Sequence, residues 1–287
     1  MKQHHRLGPT RKVVDSNALQ STQLRAYLSK STNNLAVLTD YAAMEAYKGN
    51  TLVSIFRSME ILADFPKQVI VLKTTGVVCG LNGRQSGLQR RMIDPEQTRG
   101  FQEYCHRLHT AKLGDVSLRE QLLEHGREAD AQMGRMLTDA KIMPEAVEGI
   151  TRNFTAAELR IIRTGMLFPS GLVRKILESV VVIERSLYFR HPRPAISHGI
   201  NEVPNTFLFR TALCVFIWAL DWISVGGPKN VATERIRNDL VDVNFATYAT
   251  YFDGLLSMDQ KALRIYQRAA FVLDAITGGP GGRSWSG

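Results

Sequence analysis

The chain has 287 residues, of which 44% are hydrophobic, and it carries a formal net charge of +9. This length suits one large domain, or one domain with a sizeable insertion. The chain has three cysteines and no CxxC pair, which argues against a disulfide framework or a structural zinc site and favours a reducing cytoplasm. The pI of about 9.6 indicates a polyanionic partner, above all nucleic acid.

Nothing in the hydropathy pattern predicts a membrane location. The N-terminal residues MKQHHRLGPTRK lack the apolar core of a secretory signal. Residues 211–220 are strongly apolar, but they are too few to span a bilayer and lie between Arg210 and Asp221. We therefore expect a buried helix there and no membrane association.

The first third of the chain alternates short apolar runs with helical patterns, which predicts an α/β domain with a central parallel sheet flanked by helices. A strand ends on Asp15, and a later helix is capped by Thr39 and carries Glu45. The predicted strands are 12–15, 35–38 and 68–72, and the predicted helices are 18–30, 39–48 and 50–64.

The middle of the chain gives helical signals almost throughout. Helices are predicted over 95–113, 117–141, 144–153, 155–166 and 170–189, with capping boxes at Ser117 and Thr155. Because strand signals cease here, we predict a long all-helical insertion over 84–203. Residues 1–83 and 204–277 would form one discontinuous α/β domain, and 278–287 a flexible tail.

The most informative stretch runs from residue 238 to residue 259. Asp239 and Asp242 are three residues apart and share one face of a predicted helix. We expect Gly254 to break this helix, residues 255–257 to form a short buried strand, and Asp259 to follow that strand.

Asp15 and Asp259 each follow a predicted strand. In an open parallel sheet, ligands bind outside the carboxyl ends of the strands, so we expect these two acids to meet. Clustered carboxylates repel one another unless a proton or a cation offsets the charge, and oxygen ligands suit Mg²⁺ or Mn²⁺.

Three segments together resemble the PIN-like nuclease superfamily. They are Val13-Val14-Asp15-Ser16-Asn17-Ala18-Leu19, then Leu38-Thr39-Asp40 through Glu45, and finally Asp242 through Asp259. The resemblance covers the two ends of the chain, and the helical middle has no counterpart in small family members.

The resemblance implies a set of roles for the acids. Asp15, Glu45, Asp242 and Asp259 would be catalytic metal ligands for Mg²⁺ or Mn²⁺, with Asp239 as an alternative to Asp242. The polar residues expected to support the site are Asn17, Thr39 and Ser257.

Arginines are expected to draw the substrate, because guanidinium groups bind backbone phosphates without reading sequence. They follow the glycine-rich segment 76–87 and are Arg84, Arg90, Arg91 and Arg99. A solvated helix face explains the same pattern equally well.

The predicted activity is metal-dependent endonuclease, with RNA favoured over DNA. The protein would act in RNA processing or as a toxin or defence effector, and the insertion offers a surface for a regulatory partner or a second copy. Two alternatives stay open. One is a catalytically inactive nucleic-acid-binding or scaffold protein of the same fold, and the other is a structure-specific DNA nuclease of the related flap family.

Overall fold

The computed structural model describes residues 8–49, 51–164, 168–191, 199, 201–227 and 231–277. The predicted flexible tail over 278–287 lies outside this range. The strands are β1 (Thr10–Val14), β2 (Asn34–Leu38), β3 (Val69–Val71) and β4 (Leu255–Leu256). The helices are α1 (Thr22–Lys30), α2 (Asp40–Tyr47), α3 (Leu52–Asp64), α4 (Thr75–Cys79), α5 (Leu88–Met92), α6 (Pro95–Leu113), α7 (Val116–Arg152), α8 (Ala156–Thr164), α9 (Ser170–Arg190), α10 (Phe207–Ser224), α11 (Thr233–Ala249) and α12 (Gln260–Thr277).

The four strands form one parallel sheet in the order β3-β2-β1-β4. Val13 of β1 is opposite Val37 of β2 on one side and Leu255 of β4 on the other. The prediction of an α/β fold with a parallel sheet flanked by helices is therefore confirmed. Successive strands add on one side of β1 until β4 adds on the other, so the strand order reverses between β1 and β4. Ligands bind preferentially outside the carboxyl ends of the strands at such a point.

Two apolar cores meet along α11. Its residues Val241 and Phe245 pack into the core around the sheet, while Val243 and Ala246 pack into an all-helical core. The helical core also contains parts of the second half of α7 and of α8, α9, α10 and α12. Because α11 is held from both sides, the backbone that carries Asp242 is firmly positioned.

The segment predicted as an insertion contributes to both cores. Phe101 of α6 and Met133 of α7 are buried against the sheet, whereas Val147 of α7 and Val180 of α9 are buried in the helical core. These helices thus form part of the wall that surrounds the site region.

Helix α10 is long and apolar enough to cross a membrane by length and composition, but 67% of its 18 residues are buried inside the fold. Its residues Phe216, Trp218 and Ala219 are fully buried in the helical core. This burial fits the core helix of a soluble protein and agrees with the expectation of a buried helix.

Helix α7 differs from its prediction. Separate helices over 117–141 and 144–153 were expected, but one helix runs from Val116 to Arg152 with Pro144 inside it. Ala140 and Val147 on either side of Pro144 are fully buried, so packing holds the helix together despite the proline. The predicted capping box at Ser117 is also wrong. Asp115 caps the helix instead, because its Oδ1 accepts a hydrogen bond from Leu118 N.

The continuous α7 generates a stability prediction. Pro144 has no N–H to donate to the carbonyl of Ala140, so Pro144→Ala should raise the free energy of unfolding by up to about 3 kcal/mol. Pro95→Ala is the matched control, because Pro95 occupies the first turn of α6, where a missing N–H costs little. Urea unfolding of both variants measures the difference, and a destabilised Pro144→Ala protein would contradict this account.

Candidate active site at the carboxyl ends of β1 and β4

Asp15 is a buried carboxylate directly after β1, with only 1% of its surface exposed. Its backbone N–H donates to Leu256 O at the end of β4 over 2.9 Å, which places it at the point where the strand order reverses. Ser257 Oγ donates to Asp15 Oδ2 over 2.5 Å, and Ser16 Oγ lies 3.2 Å from Oδ1. The carboxylate is therefore held in one orientation.

Asp259 is joined to Asp15 through Ser257. The backbone N–H of Asp259 donates to Ser257 Oγ over 2.9 Å, and the same hydroxyl donates to Asp15. Asn17 supports this connection, since its Oδ1 accepts from Met258 N over 2.8 Å. Asp259 also caps α12, because its Oδ1 accepts from the backbone N–H of Lys261 over 2.6 Å.

Glu45 reaches the same place from α2. Its Oε2 accepts a hydrogen bond from Ser16 Oγ, and its Oε1 lies 3.8 Å from Lys48 Nζ. A serine hydroxyl has one proton, so Ser16 donates to either Asp15 or Glu45 at one moment. The carboxylate oxygen that does not receive the Ser16 proton then lies close to the Ser16 oxygen, and this contact is repulsive unless a proton or a cation lies between the two atoms.

Thr39 acts on the site only through the helix that carries Glu45. Its hydroxyl accepts a hydrogen bond from Ala42 N over 3.1 Å and so caps α2. Thr39 is 1% exposed, which makes it a structural support for the start of α2.

Asp239 and Asp242 have different surroundings although they share α11. Asp239 Oδ2 accepts from the indole N–H groups of Trp218 at 2.9 Å and Trp222 at 3.2 Å, and its Oδ1 accepts from Lys261 Nζ. Asp239 is 2% exposed and its oxygens already have three donors. It is therefore a buried structural acid, and Asp242 is the better candidate for a site residue.

Asp242 contacts Lys261 and interacts with the other acids. Lys261 Nζ lies 3.3 Å from Asp242 Oδ2. Burial raises the pKa of Asp242 to about 7, with Asp259 and Asp15 adding to the rise and Lys261 opposing it. Burial also raises the pKa of Asp15, with Ser257 and Asn17 opposing and Glu45 adding. Burial is the largest cause of both shifts, and repulsion between the acids adds to it.

The donor atoms match a hard divalent cation, since they are carboxylate oxygens together with hydroxyl and amide groups. Among the residues that the structure describes, no group of three or more His, Cys, Asp or Glu side chains is arranged to hold a metal ion by itself. Mg²⁺ often takes only one or two carboxylates and completes its shell with water and substrate phosphate. Glu45 shares the Ser16 hydroxyl with Asp15 and Asp242 interacts with its charge, so an open site of that kind would use Asp15 with one of these acids.

The arginines predicted to bind phosphate do not gather at these acids. Arg91 on α5 donates to the carbonyls of Asn82, Arg84 and Ser86 and so holds the preceding loop in place. Its neighbour Gln89 bonds the Arg11 side chain and the carbonyl of Tyr251. Arg11 lies near the start of β1 and Tyr251 precedes β4, so this loop lies towards the opposite end of the sheet from Asp15.

The remaining predicted arginines are solvent-exposed. Arg84 lies in the loop before α5 and Arg90 lies on α5 next to Arg91, and burial together with these two neighbours lowers the pKa of Arg91. Arg99 lies on α6, where its Nε donates to Pro95 O over 3.0 Å.

Three residues near the acids were not singled out by the sequence reasoning: Ser16, Lys261 and Trp218. Lys261 had a usable signal, because a lysine in the first turn of a helix is unfavourable with the helix dipole. Its position there indicates a nearby negative charge. The indole N–H groups that donate hydrogen bonds to Asp239 come from α10, and no local sequence pattern links them to α11.

Comparisons of the chain with protein-family models, curated proteins and solved structures find no match. The interpretation of the site therefore depends on its residues and geometry.

The pKa of Asp242 generates a pH prediction. The folded chain keeps the Asp242 proton up to about pH 7, whereas the unfolded chain releases it near pH 4, so stability should fall as pH rises between these values. Asp242→Asn removes this fall. At pH 8 the variant should be more stable than the natural chain by on the order of 2–3 kcal/mol, and near pH 4 the two should be alike.

Urea unfolding at pH 4 and pH 8 measures the effect. Asp64→Asn is the control, since Asp64 is an exposed acid paired with Arg25 at 2.7 Å. If the free energy of unfolding depends on pH equally in the Asp242 variant and the natural chain, Asp242 does not have the raised pKa.

Proposed function

We propose that the protein is a metal-dependent endonuclease that acts in the cytoplasm, with RNA as the favoured substrate and Mg²⁺ or Mn²⁺ as the cofactor. The observation that carries the proposal is the convergence on Asp15. Carboxylates from four separate parts of the chain interact with one another at the carboxyl ends of β1 and β4, where the strand order reverses.

The chain's own residues have distinguishable tasks in such a reaction. Ser257 and Ser16 orient the two oxygens of Asp15, and Asp259 is fixed by its place at the start of α12. Asp242, whose pKa is raised to about 7, is suited to accept a proton near neutral pH. A bound divalent cation would supply an acidified water and charge stabilisation at phosphorus.

A basic depression offers a route for the substrate backbone. Arg25 and Arg57 line it together with Gln20, Thr22 and Glu60, in an open space of about 360 Å³. Arg25 is paired with Asp64 at 2.7 Å, so a phosphate would compete with that acid. The depression lies where α1 begins at Thr22, after the short helical turn Ser16–Ala18 that follows Asp15. It is thus on the side of the carboxyl end of β1, whereas the region of Arg84, Arg90 and Arg91 contacts Arg11 at the start of that strand.

The net charge of +9 supports a polyanionic substrate but does not distinguish RNA from DNA. The preference for RNA comes from the PIN-like resemblance, as does the role in RNA processing or as a toxin or defence effector. A regulatory partner or a second copy would bind the outer helices α6 to α9.

The first test is cleavage of single-stranded RNA with Mg²⁺ or Mn²⁺, and its suppression by a chelator. Asp15→Asn should lower the rate at least about 100-fold, because it removes a charge that would hold the cation. Glu178→Gln is the control and should cleave like the natural chain, since Glu178 is exposed on α9, outside both the acid cluster and the depression that contains Arg25. Undiminished cleavage by Asp15→Asn would refute the assignment.

The same assay separates the flap-type alternative. Single-stranded RNA, single-stranded DNA and branched duplex DNA are compared at equal concentration. Preference for the branched duplex would favour a structure-specific DNA nuclease.

The contact between Lys261 and Asp242 favours a second candidate, a scaffold protein in which lysine permanently replaces a metal ion. The two candidates differ in how Mn²⁺ affects thermal unfolding. A nuclease should be stabilised by about 3 kcal/mol when Mn²⁺ is present at 100 times its Kd, and Asp15→Asn should lose this stabilisation. An unchanged melting temperature in millimolar Mn²⁺ would favour the scaffold.

A further inference from the structure

A separate cavity of about 680 Å³ lies behind the helix that carries Glu45. It opens outside the carboxyl ends of β2 and β3, and α2, α6 and α7 form its sides. Ligand sites of small molecules typically have volumes of roughly 300–1,000 Å³ and occur at this edge of α/β sheets. Its position and size are therefore those of a ligand site.

Most of the inner surface is apolar and polarisable. Met44 of α2 and Met59 of α3 face Phe101 and Tyr104 of α6 around the cavity. The rings of Phe101 and Tyr104 are tilted by 40° with centroids 5.5 Å apart. Thioether sulfur and aromatic edges both make favourable contacts with a flat ring, so the walls suit a planar aromatic molecule.

A fixed acceptor lies where the cavity meets the sheet. Asp40 Oδ2 accepts from Thr75 N over 2.6 Å, and Oδ1 accepts from Thr75 Oγ1 over 2.8 Å and from Tyr41 N over 3.0 Å. These bonds hold the carboxylate in place while it lines the cavity. Among the hydrogen bonds of the described residues, Oδ2 accepts only from Thr75 N, so this oxygen keeps a lone pair to which an N–H group on a ligand would donate.

The rim of the cavity adds hydrogen-bond donors and acceptors. Gln132 and Arg135 on α7 are bonded to each other, with Arg135 Nε 3.0 Å from Gln132 Oε1. Glu128 and His125 lie one and two turns before Gln132 on the same helix, and the rings of His125 and Tyr47 form a T-shaped contact with centroids 6.2 Å apart. The rim thus offers donors and acceptors to a neutral ligand, while Asp40 and Glu128 disfavour an anionic one.

We propose that this cavity binds a planar, uncharged heteroaromatic molecule of nucleobase to nucleoside size, with its ring against Met44 and Phe101 and an N–H edge towards Asp40. The site is distinct from the acid cluster. Residues 40, 43, 44 and 47 of α2 line the cavity, and Glu45 lies on the other face of that helix. The proposal stands whether or not the protein is a nuclease.

The test is NMR of the full chain with ¹³C-labelled methionine methyl groups, titrated with adenine and with indole as probes. Planar molecules of about ten non-hydrogen atoms are expected to bind with a Kd on the order of 1 mM. The methyl signals of Met44 and Met59 should shift in a saturable way with at least one probe, while that of Met258, which is exposed next to the acid cluster, stays in place.

Two variants locate the binding. Gly100→Trp adds a ring at a helical position on the cavity where a Cβ meets no atom within 4 Å, and Ala43→Trp fills the space from α2. Gly149→Trp is the matched control, because Gly149 has equally open surroundings on the second half of α7, away from the cavity lining. Circular dichroism verifies that each variant is folded.

Both cavity variants should weaken probe binding at least tenfold, and Gly149→Trp should leave it unchanged. The proposal is overturned if neither probe shifts the Met44 and Met59 signals at 10 mM concentration, on the order of ten times the expected Kd. It is also overturned if the shifts persist in folded Gly100→Trp and Ala43→Trp proteins.

Discussion

The hydrogen bond from Ser257 to the buried carboxylate of Asp15 is the contact on which the site depends. It joins the end of β1, near the start of the chain, to the end of β4, near its finish. An acid with 1% exposure is costly to keep charged unless hydrogen bonds or cations compensate. The two serines provide the hydrogen bonds, and the neighbouring acids add charge that these bonds do not remove. The fold therefore holds carboxylates together against their mutual repulsion, which is the arrangement expected where a cation or a substrate completes the balance.

The same region contains a second way of stabilising a buried acid. Asp239 is surrounded by two indole N–H groups and Lys261, and this set leaves it no free role. Asp242 lies three residues later on the same helix but receives only a share of Lys261. Two acids one turn apart on α11 thus differ in their surroundings, because indole groups of α10 donate to Asp239. Asp239 is therefore a structural group, whereas burial raises the pKa of Asp242 to about 7.

The sequence predicted much of the sheet because strands and caps have local causes. The apolar run before Asp15, the Thr39 cap and the short strand after Gly254 each depend on residues close together in the chain, and all were found near their expected positions. Helix α7 was wrongly divided at Pro144 because its continuity depends on burial against distant helices. The reciprocal cap at Thr155 and Glu158 was confirmed, whereas the one at Ser117 was wrong because Asp115 competes for the same helix start. The location of the arginines and the partnership of Lys261 with Asp239 are long-range contacts, which periodicity and spacing do not encode.

Helix α2 has only eight residues and faces two different spaces. Glu45 extends towards the acids from one face, and Met44 and Tyr47 border the cavity from the other. A short helix shifts as a unit, so an occupant of the cavity that displaces α2 also changes the distance between Glu45 and Asp15. Thermodynamic linkage makes such an effect mutual, because a molecule that tightens cation binding must itself bind more tightly when the cation is present, by the same factor. The turn of α2 that contains Met44 and Glu45 would then couple the two spaces, so that a small neutral molecule in the cavity changes the affinity of the acid cluster for a cation.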